Sequence, residues 1–152
     1  MANLEQIKEL RQRTGISIAE CRQALESSAG DLEKALAVLK ERGRRLAEKK
    51  AGRALKAGTI GTYLHTNSLL AALVELRCET DFVAKNAEFR ELANELAMQV
   101  AALGSENTAE LLTQPFIKNE TLKVADIIEA AVQKFGERIE VGRFLRLEVE
   151  SD

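Results

Sequence analysis

Aromatic, proline, histidine and cysteine residues are scarce in this chain of 152 residues. It has no tryptophan, one proline, one histidine and two cysteines, and its aromatic content is 4%. A core with so few rings must be built from leucine, isoleucine, valine and alanine, which favours packed helices. The cysteines, Cys21 and Cys78, stand far apart with no CxxC spacing and no cluster of histidines, so no metal site is predicted. We expect both thiols to be reduced and buried.

Long apolar runs are absent as well. No run approaches the ~20 residues needed to cross a bilayer, and the first residues lack the pattern of a signal peptide. We therefore expect a cytoplasmic protein with no membrane partner.

The chain is also poor in catalytic residues. His65 follows a predicted strand, and no serine or cysteine has the setting of a nucleophile, so a structural histidine is expected. Gly52–Gly58 superficially matches a phosphate-binding loop, but Thr59 stands where the loop requires a lysine. The GxxG at Gly58–Gly61 is too short a signal to assign a function. We predict no catalytic residue, no metal and no cofactor, and a function in binding rather than in catalysis.

The charge balance argues against a dedicated nucleic-acid-binding protein. Basic residues number 22 and acidic residues 24, without the basic excess typical of that class. The charges are nevertheless uneven, because Lys40–Lys56 contains eight basic and two acidic residues. This segment either forms a solvated linker helix, as charge runs usually do, or contacts RNA.

The pattern of apolar residues divides the chain into three segments. Residues 1–42 have the spacing of three short helices around a small core, a size typical of docking modules. Residues 43–57 are basic and are predicted to form a linker helix, with Gly43 and Gly52 as possible joints. Residues 58–152 contain a β-hairpin, two amphipathic helices and a final strand. The predicted fold class is α+β, a three-helix module followed by a small antiparallel sheet packed with helices.

The C-terminal segment alternates apolar and polar residues, as a strand with one buried face does. The apolar positions predicted to share one face are Ile139, Val141, Leu145, Leu147 and Val149. Arg143 and Phe144 interrupt this alternation. We predict that the strand joins the hairpin in one antiparallel sheet.

The most informative segment is Cys78–Asn86, where an apolar run ends and a helical pattern begins. Thr80 is a natural N-cap, since its hydroxyl can accept from the free amides of the first turn. Asp81, Phe82 and Val83 then occupy that turn, where a carboxylate is favoured by the partial positive charge of the helix end. Phe82 is either packed under the domain or presented to a partner. The next helix already has its own apolar stripe, which favours the exposed alternative.

The Thr80–Val83 motif, followed by Ala84–Asn86, closely resembles that of the bacterial elongation factor Ts family. Other segments similar to that family are Ile7–Gly15, Cys21–Leu25, Gly30–Ala35, Leu73–Glu79, Phe135–Ile139 and Arg143–Phe144. The resemblance implies a ubiquitin-associated-like three-helix module and a core with a small antiparallel sheet. It also implies guanine-nucleotide exchange on elongation factor Tu, in which the factor binds the GDP form and promotes release of Mg²⁺ and GDP.

The resemblance implies site residues as well. Those that would enter or frame the partner's Mg²⁺ region are Thr80, Asp81, Phe82 and Val83. Those through which the N-terminal module would touch the partner's GTPase domain are Arg11, Ile18 and Ala19. Many members of the family carry two methionines where this chain has Ile18 and Ala19.

One departure from the family concerns length. Longer members carry a helical insertion or a second core repeat between the equivalents of Leu103 and Leu111, where only a few residues stand here. Our hypothesis is that two copies of the chain pair, each contacting one part of elongation factor Tu. An alternative from another class is an adaptor whose three-helix module binds peptides or ubiquitin-like folds while the core is structural.

Overall fold

A computed structural model describes residues 2–150. The elements are α1 (Leu4–Thr14), α2 (Ile18–Ser27), α3 (Leu32–Lys50), β1 (Ala57–Leu64), β2 (Leu70–Cys78), α4 (Asp81–Ala84), α5 (Ala87–Leu103), α6 (Thr108–Thr113), β3 (Pro115–Phe116), β4 (Asn119–Lys123), α7 (Val124–Phe135) and β5 (Glu140–Glu148). Helices precede a small antiparallel sheet that is packed with further helices, which confirms the α+β fold class. The chain forms two compact units. The first is the chain up to Gly52 with Ile128–Glu137, and the second is Arg53–Ile127 with the residues from Arg138 onward.

The first unit begins with three capped helices. The side chains of Asn3, Ser17 and Asp31 accept hydrogen bonds from backbone amides in the first turns of α1, α2 and α3. The helices enclose a core of small and branched side chains, namely Ile7, Leu10, Ile16, Cys21, Ala24, Leu25, Ala35 and Leu39. This core contains no aromatic ring, as the composition predicted, whereas Phe89 and Phe116 are buried in the second unit.

The predicted linker helix is wrong as a separate element. Helix α3 continues without a break through the predicted boundary at residue 42 and ends at Lys50. Gly43 is therefore not a joint but a buried helical residue, and a Cβ there would lie 3.3 Å from the Glu129 carbonyl oxygen. Its missing side chain thus lets α3 approach α7 closely around Glu129 and Gln133. The assignment of docking, linker and core roles to 1–42, 43–57 and 58–152 stays a prediction.

The second unit is built on a three-stranded antiparallel sheet in the order β1-β2-β5. Its inner face is covered by α5, and alternate residues of β2 from Ala72 to Cys78 are buried there. The short hairpin of β3 and β4 has no counterpart among the elements predicted from the sequence. Gln99 of α5 holds that hairpin, because its buried side-chain amide donates to the Pro115 carbonyl (3.0 Å) and accepts from the Ile117 amide (2.9 Å).

A β-bulge in β5 corrects the predicted alternation of the C-terminal strand. Val141 lies opposite Leu76 and Phe144 lies opposite Val74, so Gly142 and Arg143 together face the single residue between them. One extra residue exchanges the two faces of a strand. Ile139 and Val141 are therefore buried, as predicted. Leu145, Leu147 and Val149 lie on the outer face and are exposed, contrary to the prediction.

Candidate functional site

The segment after β2 forms a tight corner that carries the one-turn helix α4. The Thr80 hydroxyl oxygen accepts from the Val83 amide at 3.4 Å, which confirms Thr80 as an N-cap. The Asn86 side chain accepts from the Glu88 and Phe89 amides and caps α5. The helical pattern that follows Cys78 is thus two helices, each with its own cap.

Phe82 points outward from this corner. Its side chain is 85% exposed. Within residues 2–150, the other four phenylalanines are all buried or half-buried, namely Phe89, Phe116, Phe135 and Phe144. The exposed alternative from the sequence analysis is therefore confirmed. An aromatic side chain normally stabilises a protein by being buried, and an exposed ring makes no such contribution. A binding role for the exposed ring of Phe82 is therefore worth testing.

The rest of the corner is held by its own unit. Val83 and Ala84 are 5% and 6% exposed, and α4 packs against β1 and β2. Val83 therefore fixes the turn from within and has little surface to offer a partner. Thr80 and Asp81 are exposed beside Phe82. The ring and the carboxylate are thus presented side by side on a turn that is anchored at both ends.

The two glutamates near the corner have structural partners. Glu79 accepts a hydrogen bond from the Arg138 amide at 2.6 Å and lies 3.5 Å from the Arg53 guanidinium. Glu75 pairs with Arg143 at the bulge, and hydrogen bonds from Arg143 hold the pKa of Glu75 below its usual range. Glu75 lies in β2 and Glu79 directly follows it, and both side chains are half-buried, whereas Asp81 on the turn is exposed.

The three residues expected to contact a partner from the first unit share one end of a helical pair. Arg11 lies in the last turn of α1, and Ile18 and Ala19 lie in the first turn of α2. A short loop beginning at Gly15, whose φ of 71° is left-handed, joins the two helices. All three side chains are exposed.

A family model described as "Elongation factor TS" matches residues 79–152. Proteins named elongation factor Ts match nearly the full chain. The one from Thermodesulfovibrio yellowstonii is 38% identical, covering 95% of this chain and 94% of its own length. The Carboxydothermus hydrogenoformans protein is 35% identical, over 98% of this chain and 89% of its own. The Thermotoga maritima protein is 37% identical, over 97% of this chain and 96% of its own.

The chain belongs to the elongation factor Ts family. Relative to other elongation factor Ts sequences it is short. The alignment with the Thermodesulfovibrio yellowstonii protein extends over 189 positions against 152 residues here, which leaves at least 37 positions without a counterpart. Both chains are covered almost to their ends, so these missing positions are internal to the alignment.

The basic segment Lys40–Lys56 carries less free charge than its sequence suggests. Arg44 pairs with both Glu41 and Glu48, and Arg45 also pairs with Glu41. Lys50 is buried and donates to the Gly136 carbonyl at 2.7 Å. Contact between this segment and RNA stays an untested alternative. The internal pairing favours the solvated helix.

The Glu41 pair leads to a prediction about acid stability. A hydrogen bond from Arg44, supported by Arg45, lowers the pKa of Glu41 to about 2. A carboxyl whose pKa is lower in the folded state stabilises the fold above its unfolded pKa, and this contribution is lost as the pH falls towards 2. We expect Glu41→Gln to be slightly less stable than wild type at neutral pH and the two to converge in acid. Thermal unfolding from pH 7 down to pH 2 measures this, and parallel curves would contradict it.

The described part of the chain has neither a metal-binding cluster nor a membrane-spanning helix. Across residues 2–150, no three histidine, cysteine, aspartate or glutamate side chains are grouped so as to hold a metal ion. In the same range, no helix has both the length and the apolar character needed to span a bilayer. Both cysteines are buried, and burial raises the pKa of the Cys21 thiol, which makes it a poor nucleophile.

Proposed function

We propose that this chain is a guanine-nucleotide exchange factor that binds the GDP form of elongation factor Tu and promotes release of Mg²⁺ and GDP during translation elongation in the cytoplasm. The observation that carries the proposal is the exposed ring of Phe82 on an anchored corner, in a member of the elongation factor Ts family. The chain acts by binding and needs no catalytic residue or cofactor of its own.

The proposed mechanism uses the ring as a wedge. Seating one phenylalanine in a pocket of a partner stabilises the complex by about 1.5–3 kcal/mol. Because α4 is already capped and packed, ordering the turn on binding costs little of this free energy. Mg²⁺ requires nearly ideal octahedral geometry, so a small shift of a supporting element in elongation factor Tu would cost the ion its ligands. GDP, which is bound together with that Mg²⁺ ion, would then dissociate faster.

The size of the effect calls for more than one contact. The coupling free energy between two binding sites of one protein is typically about 1–3 kcal/mol. The contact made by a single ring can supply part of it. We propose that Arg11, Ile18 and Ala19 provide a second contact, with the GTPase domain of elongation factor Tu. Coupling is reciprocal, so GDP should weaken the binding of this chain by the same factor by which the chain weakens GDP.

The test is release of fluorescently labelled GDP from elongation factor Tu with an excess of unlabelled nucleotide. We expect this chain to accelerate release strongly in the presence of Mg²⁺. An adaptor that binds through its three-helix module would leave the release rate unchanged. An RNA-binding protein would also leave it unchanged and would bind RNA with a steep dependence on salt.

Asp81→Ala tests the carboxylate beside the ring. The side chain is exposed, so its removal should leave the fold intact and change the free energy of unfolding by roughly 0.5 kcal/mol or less. We expect GDP release to slow by about 5-fold to 10-fold, as for loss of one polar interface contact. The release assay and circular dichroism are measured on the same sample. Unfolding of the variant, or an unchanged release rate, would contradict the proposed role of Asp81.

A further inference from the structure

Glu79 stands between β2 and the corner and is joined to two distant segments of the second unit. Its Oε2 atom accepts from the Arg138 backbone amide at 2.6 Å, and its Oε1 atom lies 3.5 Å from the Arg53 guanidinium. Arg53 and Arg138 are the residues at which the chain enters the second unit, after α3 and after α7. The Arg138 guanidinium also donates to the Arg53 carbonyl. Glu79, Arg53 and Arg138 thus form a closed set of contacts, here called the Glu79 network.

The Glu79 network is better placed to hold a position than an ion pair on the open surface. The side chains of Glu79 and Arg138 are only 17% and 23% exposed, so water screens their contacts less. A hydrogen bond to a carboxylate is also roughly twice as strong as one between neutral groups. Arg138 is itself fixed, because its guanidinium donates to Glu140 of β5 at 2.7 Å. The Glu79 carboxylate is therefore held against a segment that is anchored to the sheet.

The other hydrogen bonds at the base of the corner are local. The Thr80 hydroxyl and carbonyl oxygens accept from amides of α4, and the Cys78 thiol donates to the Thr80 carbonyl at 3.3 Å. These bonds close the turn on itself. Glu79 directly precedes Thr80, whereas Arg138 lies 59 residues further along the chain. The Glu79 carboxylate thus fixes the base of the turn relative to a distant part of the same unit.

We propose that Glu79 is a positioning residue for nucleotide exchange, whose hydrogen bond to the Arg138 amide sets the direction in which Phe82 leaves the corner. The inference rests on the proposed exchange role and names a residue that acts through the ring of Phe82 without touching elongation factor Tu. A wedge acts only where it meets its pocket, and in enzymes a misplacement of about 1 Å can cost about 100-fold in rate. Phe82 follows Glu79 closely in the chain, so a tilt at Glu79 is passed to the ring.

A double-mutant cycle of Glu79→Ala and Phe82→Ala tests this role. Glu79→Ala should slow GDP release from elongation factor Tu by about 5-fold to 20-fold while the chain stays folded by circular dichroism. Because Glu79 acts through the ring, it should change release by less than about 2-fold once Phe82 is alanine. The chain concentration is raised until Phe82→Ala gives measurable release. Equal losses in the two backgrounds would indicate a role in general stability and would overturn the proposal.

A matched control is available in the same strand. Glu75 of β2 likewise accepts from a backbone amide and from a guanidinium, both of Arg143 at the bulge. Its contacts lie away from the corner, so Glu75→Ala should release GDP at the wild-type rate. A loss equal to that of Glu79→Ala would mean that any anchor of β2 has this effect, which contradicts a specific role for Glu79.

Two conservative variants separate the reach of the side chain from its charge. Glu79→Gln keeps an oxygen that can accept from the Arg138 amide, so its release rate should lie within about 3-fold of wild type. Glu79→Asp keeps the charge but is one methylene shorter, so it loses that bond and should be as slow as Glu79→Ala. A slow Glu79→Gln, or a Glu79→Asp that matches wild type, is incompatible with the proposal. This pair keeps the test decisive if Glu79→Ala does not fold.

The order of the corner is also measured in the free chain, which separates this inference from the exchange role. Backbone NMR order parameters of Asp81, Phe82 and Val83 should be about 0.85 in wild type and in Glu79→Gln, and should fall below about 0.6 in Glu79→Asp. If the wild-type chain does not accelerate GDP release, the exchange role is wrong, and the order parameters still decide whether Glu79 holds the corner. Unchanged order in Glu79→Asp refutes the positioning role even where the exchange role stands.

Discussion

Replacing Phe82 with alanine is expected to slow GDP release from elongation factor Tu by about 10-fold to 100-fold at a fixed concentration of the chain. The reason is that truncation removes the only large apolar surface of the corner. The ring is 85% exposed, so its loss costs the isolated chain little. We expect the free energy of unfolding to change by about 0.5 kcal/mol or less. A large loss of exchange with unchanged stability is the signature of a contact made to a partner.

A matched control separates the ring from general loss of apolar surface. Leu103 lies at the end of α5 in the same unit and is 54% exposed, so Leu103→Ala removes a similar exposed side chain away from the corner. We expect that variant to exchange nucleotide at the wild-type rate. Titration of both variants into the release assay distinguishes weaker binding from slower release within the complex. If Phe82→Ala matched Leu103→Ala, the wedge mechanism would be refuted while membership of the family would stand.

Much of the fold follows from local signals in the sequence. The caps at Ser17, Asp31 and Thr80 are read directly from residue type and spacing, and each accepts the expected amide. The hairpin and the bounds of α7 follow from the change in apolar period between strands and helices. For Phe82 the sequence leaves a buried and an exposed position open and favours the exposed one, because the stripe of the next helix is complete without it. The structure decides between the two.

The predictions from the sequence are wrong where a single residue changes how elements pack or pair in the tertiary structure. A glycine within a charged helix looks like a joint, but at Gly43 it is a site of close packing that depends on a helix far away in sequence. The bulge at Gly142 and Arg143 was visible as an interruption, yet only the pairing with β2 shows that it exchanges the faces of β5. The exposed positions of Leu145 and Leu147 are not predicted for that reason, since both have the sequence pattern of core residues.

Gly61→Ala is expected to destabilise the second unit more than Phe82→Ala, Asp81→Ala or Leu103→Ala does. A Cβ at this position would overlap the carbonyl group of Ala93 and lie 2.6 Å from the amide nitrogen of Asn94, both backbone atoms of α5. Neither can rotate away as a flexible side chain could, so β1 and α5 would have to separate. We expect a loss of about 3 kcal/mol in the free energy of unfolding, measured by chemical denaturation. Gly52→Ala is the control, because nothing lies within 4 Å of a Cβ there, and it should match wild type.

The packing of β1 on α5 at Gly61 also supports the corner that carries Phe82. Where β1 touches α5, the Asn94 side chain accepts from the Thr62 amide at 3.0 Å, so strand and helix are joined by a hydrogen bond as well as by close packing. Helix α4 packs on β1 and β2 and leads directly into α5, so a displaced α5 would move the turn that carries Phe82. In conditions where Gly61→Ala is still folded, we therefore expect slower GDP release although no contact residue has changed. Normal release from a destabilised Gly61→Ala would show that the corner does not depend on the position of α5.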